Sequence, residues 1–174
     1  MIWKVVRQIA RVGVPTEPAP DIGEQNQAEA SRIQAELLSI LGDALAIREV
    51  DAGSCNGCEM EINALGNPYY NIGGLGIKFV ASPRHADLLL VTGPVSRNME
   101  MALKRTYEAT PEPKLVVAVG DCACDGGIFG ESYATCGRVD KVIPVDVMVP
   151  GCPPEPVEIL RGILQAVRRR VRVR

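Results

Sequence analysis

The alternation of apolar and polar positions changes character near residue 45. Ahead of it, residues 2–13 set Ile2, Val5, Val6, Ile9 and Val12 on one helical face and Lys4, Arg7, Gln8 and Arg11 on the other. GVPTEPAPDIGE (13–24) then carries three prolines and two glycines, which no regular element survives. Residues 25–41 return to helical spacing, with Ala28, Ile33, Leu37, Leu38 and Leu41 as apolar points. Residues 1–44 are therefore expected to form a helical arm, and residues 45–174 the domain proper.

From Leu45 short apolar runs alternate with helical stretches. LAIREVD (45–51), GIKFVAS (76–82), DLLLVTG (87–93), KLVVAVG (114–120) and VIPVDV (142–147) predict five strands. EMEINAL (59–65), residues 96–109 and residues 154–170 predict helices, the last with Pro154 or Pro156 in its first turn. This order implies an α/β fold with a doubly wound parallel sheet. Composition agrees. Apolar residues make up 47% of the 174 positions and aromatics only 4%, as expected of a Val/Ile/Leu sheet buried on both faces.

The cysteines sharpen the picture. There are six, at 55, 58, 122, 124, 136 and 152. Lys4, Arg7 and Arg11 interrupt the N-terminal stretch, so it offers no apolar core of a secretory signal. No run reaches the ~18–20 apolar residues of a membrane span. A cytoplasmic chain is expected, in which free thiols or metal thiolates are the default. Cys55 and Cys58 follow the first predicted strand, Cys122 the fourth and Cys152 the fifth. Ligands of such sheets bind beyond the carboxyl ends of the strands, so these four thiols are expected at one edge.

A lone CxxC serves zinc, redox disulfides and clusters alike. Structural zinc sites commonly use two short ligand pairs, and here only one pair is short. A thioredoxin-type couple needs no third or fourth cysteine. Four converging thiolates suit a 4Fe–4S cluster, and neighbouring glycines would let backbone amides approach its sulfurs. Cys124 and Cys136 are left as spare, buried thiols.

GSCNGCE (53–59), GDCACDGGIFG (120–130) and PVDVMVPGCPPEP (144–156), in this order, resemble the small subunit of nickel–iron hydrogenases. The likeness is nearest to the membrane-associated, energy-converting type, formate hydrogenlyase included. The same superfamily contains the terminal-cluster subunit of respiratory complex I. The resemblance spans roughly residues 45–165. It implies a flavodoxin-like fold and one proximal 4Fe–4S cluster held by Cys55, Cys58, Cys122 and Cys152. It also implies docking against a hydrogenase-type large subunit, a ferredoxin-like iron–sulfur subunit and a membrane subunit, peripheral on the inner face of the cell membrane. The complex I subunit usually has its first two cysteines adjacent. Here Asn56 and Gly57 separate them, which favours the hydrogenase branch. The chain lacks the twin-arginine signal and two-cluster extension of many uptake hydrogenases, so a single cluster is expected. No complete active site is expected on this chain. The alternatives are a nickel-free, complex I-like subunit serving a quinone or other acceptor, and a zinc-stabilised scaffold.

Glu59, Glu61, Asp51 and Gly93-Pro94 have two readings each. Glu59 and Glu61 are candidates for proton handling, or are acids at a helix N-terminus, where negative charge is favoured anyway. Asp51 either bonds nearby amides or ends a strand in a turn. Gly93-Pro94 lines the cluster side or merely terminates a strand. His85, the only histidine, reads as a surface turn residue. The N-terminal segment, with Trp3, is expected to dock on a membrane subunit. The basic tail VRRRVRVR (167–174) suits anionic lipid or an acidic partner. No aromatic platform accompanies it, which argues against nucleic acid.

Overall fold

Five short strands carry the domain, and two of them, LLLVT (88–92) and LVVAV (115–119), are buried throughout and have almost no polar side chain to place. The structure, a computed structural model, describes residues 45–172 together with Trp3, Arg7, Arg32 and Ala35. The expected arm otherwise lies outside the described residues, as does the end of the basic tail. The strands are β1 (Leu45–Asp51), β2 (Ile77–Phe79), β3 (Leu88–Thr92), β4 (Leu115–Val119) and β5 (Val147–Val149). All pair in parallel, in the order β2-β1-β3-β4-β5. This is the flavodoxin-like order, in which the chain reverses direction of growth between β1 and β3.

Both faces are covered. Leu88 and Leu90 join a core with Ile62 and Leu65, and with Ile159, Leu160, Ile163 and Leu164. These come from α1 (Gly57–Ala64) and its C-cap, and from α4 (Pro156–Arg172). Leu89 and Val91 join a second core with Leu103 of α2 (Arg97–Ala109) and Ala123 of α3 (Asp121–Cys124). Alternate side chains of one strand thus enter opposite layers, as the two-residue period requires. α4 lies hard against β5 because Gly162 has no side chain. A Cβ there would collide with Val149 Cγ2.

The fifth strand departs from the expected 142–147. A 3-10 turn covers Val139–Lys141, and Ile143 N donates back to Val139 O at 3.1 Å. Pro144 has no N–H for a ladder. Pairing begins only after Asp146, whose N donates to Val116 O (2.9 Å) while its carboxylate accepts from Val116 N (2.8 Å). Ile143 supplies core packing rather than sheet, so its apolar character misled the pattern. The correction brings the end of β5 closer to Cys152.

Candidate metal centre

The loops after β1, β4 and β5 all leave the carboxyl edge of the sheet. After β1, Asp51 Oδ1 accepts from Gly53 N and Ser54 N, both at 2.8 Å, and turns the chain sharply. Asn56 then adopts a left-handed conformation (φ 73°) and opens α1. The carboxylate of Glu59 is buried at 7% exposure and locks this loop from beneath. It accepts from Ser54 Oγ at 2.7 Å and from Thr92 Oγ1 at the end of β3. Ser54 Oγ in turn accepts from Asn56 N (3.1 Å). Glu59 therefore does two things: it stands in the first turn of a helix, and it ties the CxxC loop to β3. Glu61 is half-buried, and its charge helps to raise the Tyr70 phenol, behind burial, Tyr69 and Glu155.

Gly93 ends β3 at φ 77° and presses on the same loop. A Cβ there would come within 2.5 Å of Ser54 N. Gly93 thus lines the cysteine side, as well as terminating the strand. His85 is exposed in a 3-10 turn, Pro83–His85.

The loops after β4 and β5 are fastened to each other. Asp121 N donates to Gly151 O (2.9 Å), and Gly151 N donates to Asp121 Oδ1 (2.7 Å). Cys122 and Cys152 each stand one residue beyond this reciprocal pair. Glycines leave room for sulfur: a Cβ at Gly120 would come within 2.6 Å of Cys58 Sγ, and one at Gly127 within 2.8 Å of Cys122 Sγ. A Cβ at Gly57 would touch Cys55 Sγ and the Pro153 ring, so the last loop lies against the first.

The four thiols share one electrostatic neighbourhood. Burial, then the Glu59 charge, and then Cys55, Cys122 and Cys152 push the Cys58 thiol up to about 12. Burial, followed by Cys152 and Cys55, also raises Cys122. Packing thiolates together in this way is unfavourable unless a cation joins them, so a donor set of this chemistry suits a metal ion or an iron–sulfur group. Among the described residues, no three His, Cys, Asp or Glu side chains close on a point sized for a single metal ion. Cys58 is buried and Cys122 half-buried, while Cys55 and Cys152 are exposed. All six cysteines are free. Cys124 turns into the second core, and its Sγ reaches Ala118 O at 3.7 Å.

Large apolar side chains are exposed close in sequence to these cysteines. Met60 follows Cys58 and Glu59 and is exposed, while Ile128 and Phe129 follow Gly127 at 92% and 56% exposure. Beside the β1 end, a shallow cleft of about 410 Å3 is lined by Arg48, Glu49, Asp51, Phe79, Val80 and Ala81.

The family model described as NADH ubiquinone oxidoreductase, 20 Kd subunit matches residues 55–166. The chain belongs to this family. Within it, the probable membrane-bound hydrogenase subunit mbhJ of Pyrococcus furiosus is 46% identical over 147 residues, covering 83% of this chain and 88% of that one. Formate hydrogenlyase subunit 7 of Escherichia coli is 44% identical over 135 residues, 78% of this chain. The chain spans about half (53%) of that relative's length. A solved chain of the membrane-bound sulfane sulfur reductase, an archaeal respiratory membrane complex, superposes with a TM-score of 0.64 at 35% identity, covering 76% of this chain and 75% of that one. The family is one of oxidoreductase subunits of hydrogenase or complex I type, in line with the resemblance carried by the three cysteine motifs. No described helix is long and apolar enough to cross a membrane.

Sequence reasoning missed the polar bracing. Thr92 and Ser54 grip Glu59, and Asp121 and Gly151 hold the two later loops in register. A lone threonine closing the apolar run LLLVT was the one available signal, since a buried hydroxyl needs a partner.

Proposed function

We propose that the chain is the electron-transfer small subunit of a membrane-associated nickel–iron hydrogenase complex, with one 4Fe–4S cluster held by Cys55, Cys58, Cys122 and Cys152. This reading is supported by the packing at the carboxyl edge, where Gly120 leaves room for Cys58 Sγ, Gly127 for Cys122 Sγ, and Gly57 lies between Cys55 Sγ and Pro153, next to Cys152; Cys55, Cys122 and Cys152 also help to raise the Cys58 thiol. Such a cluster, when bound, relays electrons one at a time at a potential set by burial, charge and hydrogen bonds.

The chain's own residues prepare the place. Asp51 and Glu59 hold the Cys55–Cys58 loop, and Asp121 pairs the Cys122 and Cys152 loops. The absent side chains of Gly120 and Gly127 keep sulfur unobstructed. Glu59 acts as a brace, because both its oxygens accept from hydroxyls of this chain. It is not required as a proton carrier.

The exposed Met60, Ile128 and Phe129 are where a partner would dock and exclude water from the two exposed thiols. The fitting partner is a hydrogenase-type large subunit. A ferredoxin-like iron–sulfur subunit would exchange electrons, and a membrane subunit would hold the assembly at the inner face of the cell membrane. Kinship with the mbhJ subunit and formate hydrogenlyase subunit 7 supports this assignment over 83% and 78% of the chain.

A second reading is a nickel-free, complex I-like subunit serving a quinone or other acceptor. The family description favours it, and so does the likeness to a sulfane sulfur reductase chain. Metal analysis of the complex, purified anaerobically with its native partners, separates the two. Iron with nickel supports the hydrogenase. Iron without nickel moves the assignment to the second reading. Zinc without iron refutes both and leaves a zinc-stabilised scaffold.

A further inference from the structure

The segment between β3 and α2 touches two cysteine loops that are far apart in sequence. On one side Ser96 N donates to Ala52 O (2.8 Å), three residues before Cys55, while Gly93 packs on Ser54. On the other side Val95 N donates to Gly137 O (2.9 Å), Cys136 N to Val95 O (2.6 Å) and Arg97 N to Ala134 O (2.8 Å). Ser96 and Thr135 form an antiparallel bridge at the centre of this contact. From there a chain of bonds runs back to Cys122. Thr135 Oγ1 donates to Gly130 O (2.7 Å), Gly130 N to Gly126 O (3.0 Å) and Gly126 N to Cys122 O (3.1 Å).

One side-chain contact joins this loop to α2, the helix that follows the segment. The buried Cys136 thiol donates to Glu100 Oε2 at 3.3 Å. Glu100 is itself held in place. Its Oε1 pairs with Lys104 Nζ at 2.7 Å, and Arg97 stands 3.9 Å from Oε2. Cys124 offers a contrast, because its thiol bonds to backbone groups, Ala118 O at 3.7 Å among them, and to no side chain among the described residues.

We propose that Cys136 is a positioning residue: its thiol latches the loop behind Cys122 to the segment 93–97 through Glu100, and so fixes the spacing between Cys122 and the Cys55–Cys58 pair. This inference rests on the cluster reading above. It gives a part to a cysteine that the sequence leaves spare. The latch holds no metal; it limits how far two ligand-bearing loops can separate. Losing it leaves all four thiols and the backbone bridge in place but loosens the loop against the helix, and with it their spacing.

The test uses the full chain in its complex, purified anaerobically, in wild-type form and as Cys136→Ala, Cys136→Ser, Glu100→Ala and the double variant Cys136→Ala/Glu100→Ala. Iron content, the rate of iron loss to a ferrous chelator and the cluster's midpoint potential are measured. Wild type and variants are expected to carry equal iron. Cys136→Ala and Glu100→Ala should each lose it about threefold faster, the scale of one modest hydrogen bond, and should shift the potential in the same direction. The double variant should be no worse than either single, because both break one contact. Cys136→Ser should restore wild-type behaviour, since its hydroxyl also donates to Glu100. A Cys136→Ala protein that matches wild type overturns the latch, as does a serine variant that behaves like alanine or a double variant whose effects add. Should Cys136→Ala not fold, Glu100→Ala alone decides, because that side chain is partly exposed. A wild-type protein without iron refutes the cluster reading instead, so the two failures are distinguishable.

Discussion

The centre of the sheet and its carboxyl edge are built by different means. At the centre Leu88, Leu89, Leu90 and Val91 are fully buried, and their stability comes from apolar area and close packing. At the edge two of four thiols are exposed, glycines take positive φ, and position is fixed by hydrogen bonds to Glu59, Asp51 and Asp121. The centre determines whether the chain folds. The edge determines whether the folded chain can hold anything. Substitutions in the two regions should therefore separate stability from cofactor content.

The largest effect expected at the edge is all-or-none. Cys122→Ala should abolish cluster iron while the far-ultraviolet circular dichroism of the fold persists. Cys136→Ala should retain it on purification, so this pair of variants tests the ligand assignment directly. The largest effect at the centre is thermodynamic. Leu90→Ala should lower unfolding free energy by about 2–5 kcal/mol, read from denaturant melts, without changing which thiols bind iron.

Gly93→Ala probes the join between the two regions. It combines left-handed backbone with a Cβ 2.5 Å from Ser54 N, so it should cost about 1–2 kcal/mol from backbone alone. It should also displace the CxxC loop and lower iron content more than its stability loss explains. Gly162→Ala clashes with Val149 at the end of β5, with Val117 in ordinary contact. It should destabilise by about 1–3 kcal/mol, with no left-handed backbone strain of its own.

The smallest effect is electrostatic. Burial, and next the Glu59 charge, raise the Glu49 carboxyl above its ordinary value. Below the ordinary carboxylate range this group is protonated in both states, and its full contribution is present. As pH rises through the raised value, the fold must ionise a half-buried acid, and that contribution is lost. Glu49→Gln should therefore gain stability relative to wild type between about pH 4 and about pH 7, by less than any core truncation. Melts at the two pH values measure it.

The same contrast explains what the sequence could reveal. Runs such as DLLLVTG and KLVVAVG announce strands, because a sheet buried on both faces needs continuous apolar residues. Cysteine positions relative to those runs were enough to place all four thiols at one edge. The fifth strand was misplaced because Ile143 is apolar for core packing, while Pro144 and Asp146 delay pairing until Val147. Glu59 looked like one more acid at a helix start. Its partners Ser54 and Thr92 come from the loop and from β3, a juxtaposition visible only once the sheet is assembled. The Cys136–Glu100 contact spans 36 residues and two elements, so no local pattern signals it.

The most direct test of the central claim is iron and acid-labile sulfide per chain in the anaerobically purified complex. Wild type would be compared with variants in which Cys55, Cys58, Cys122 and Cys152 are replaced one at a time. About four irons more per chain are expected in wild type than in each variant, with matching sulfide. Iron and sulfide unchanged by all four replacements, or zinc in their place, would contradict it.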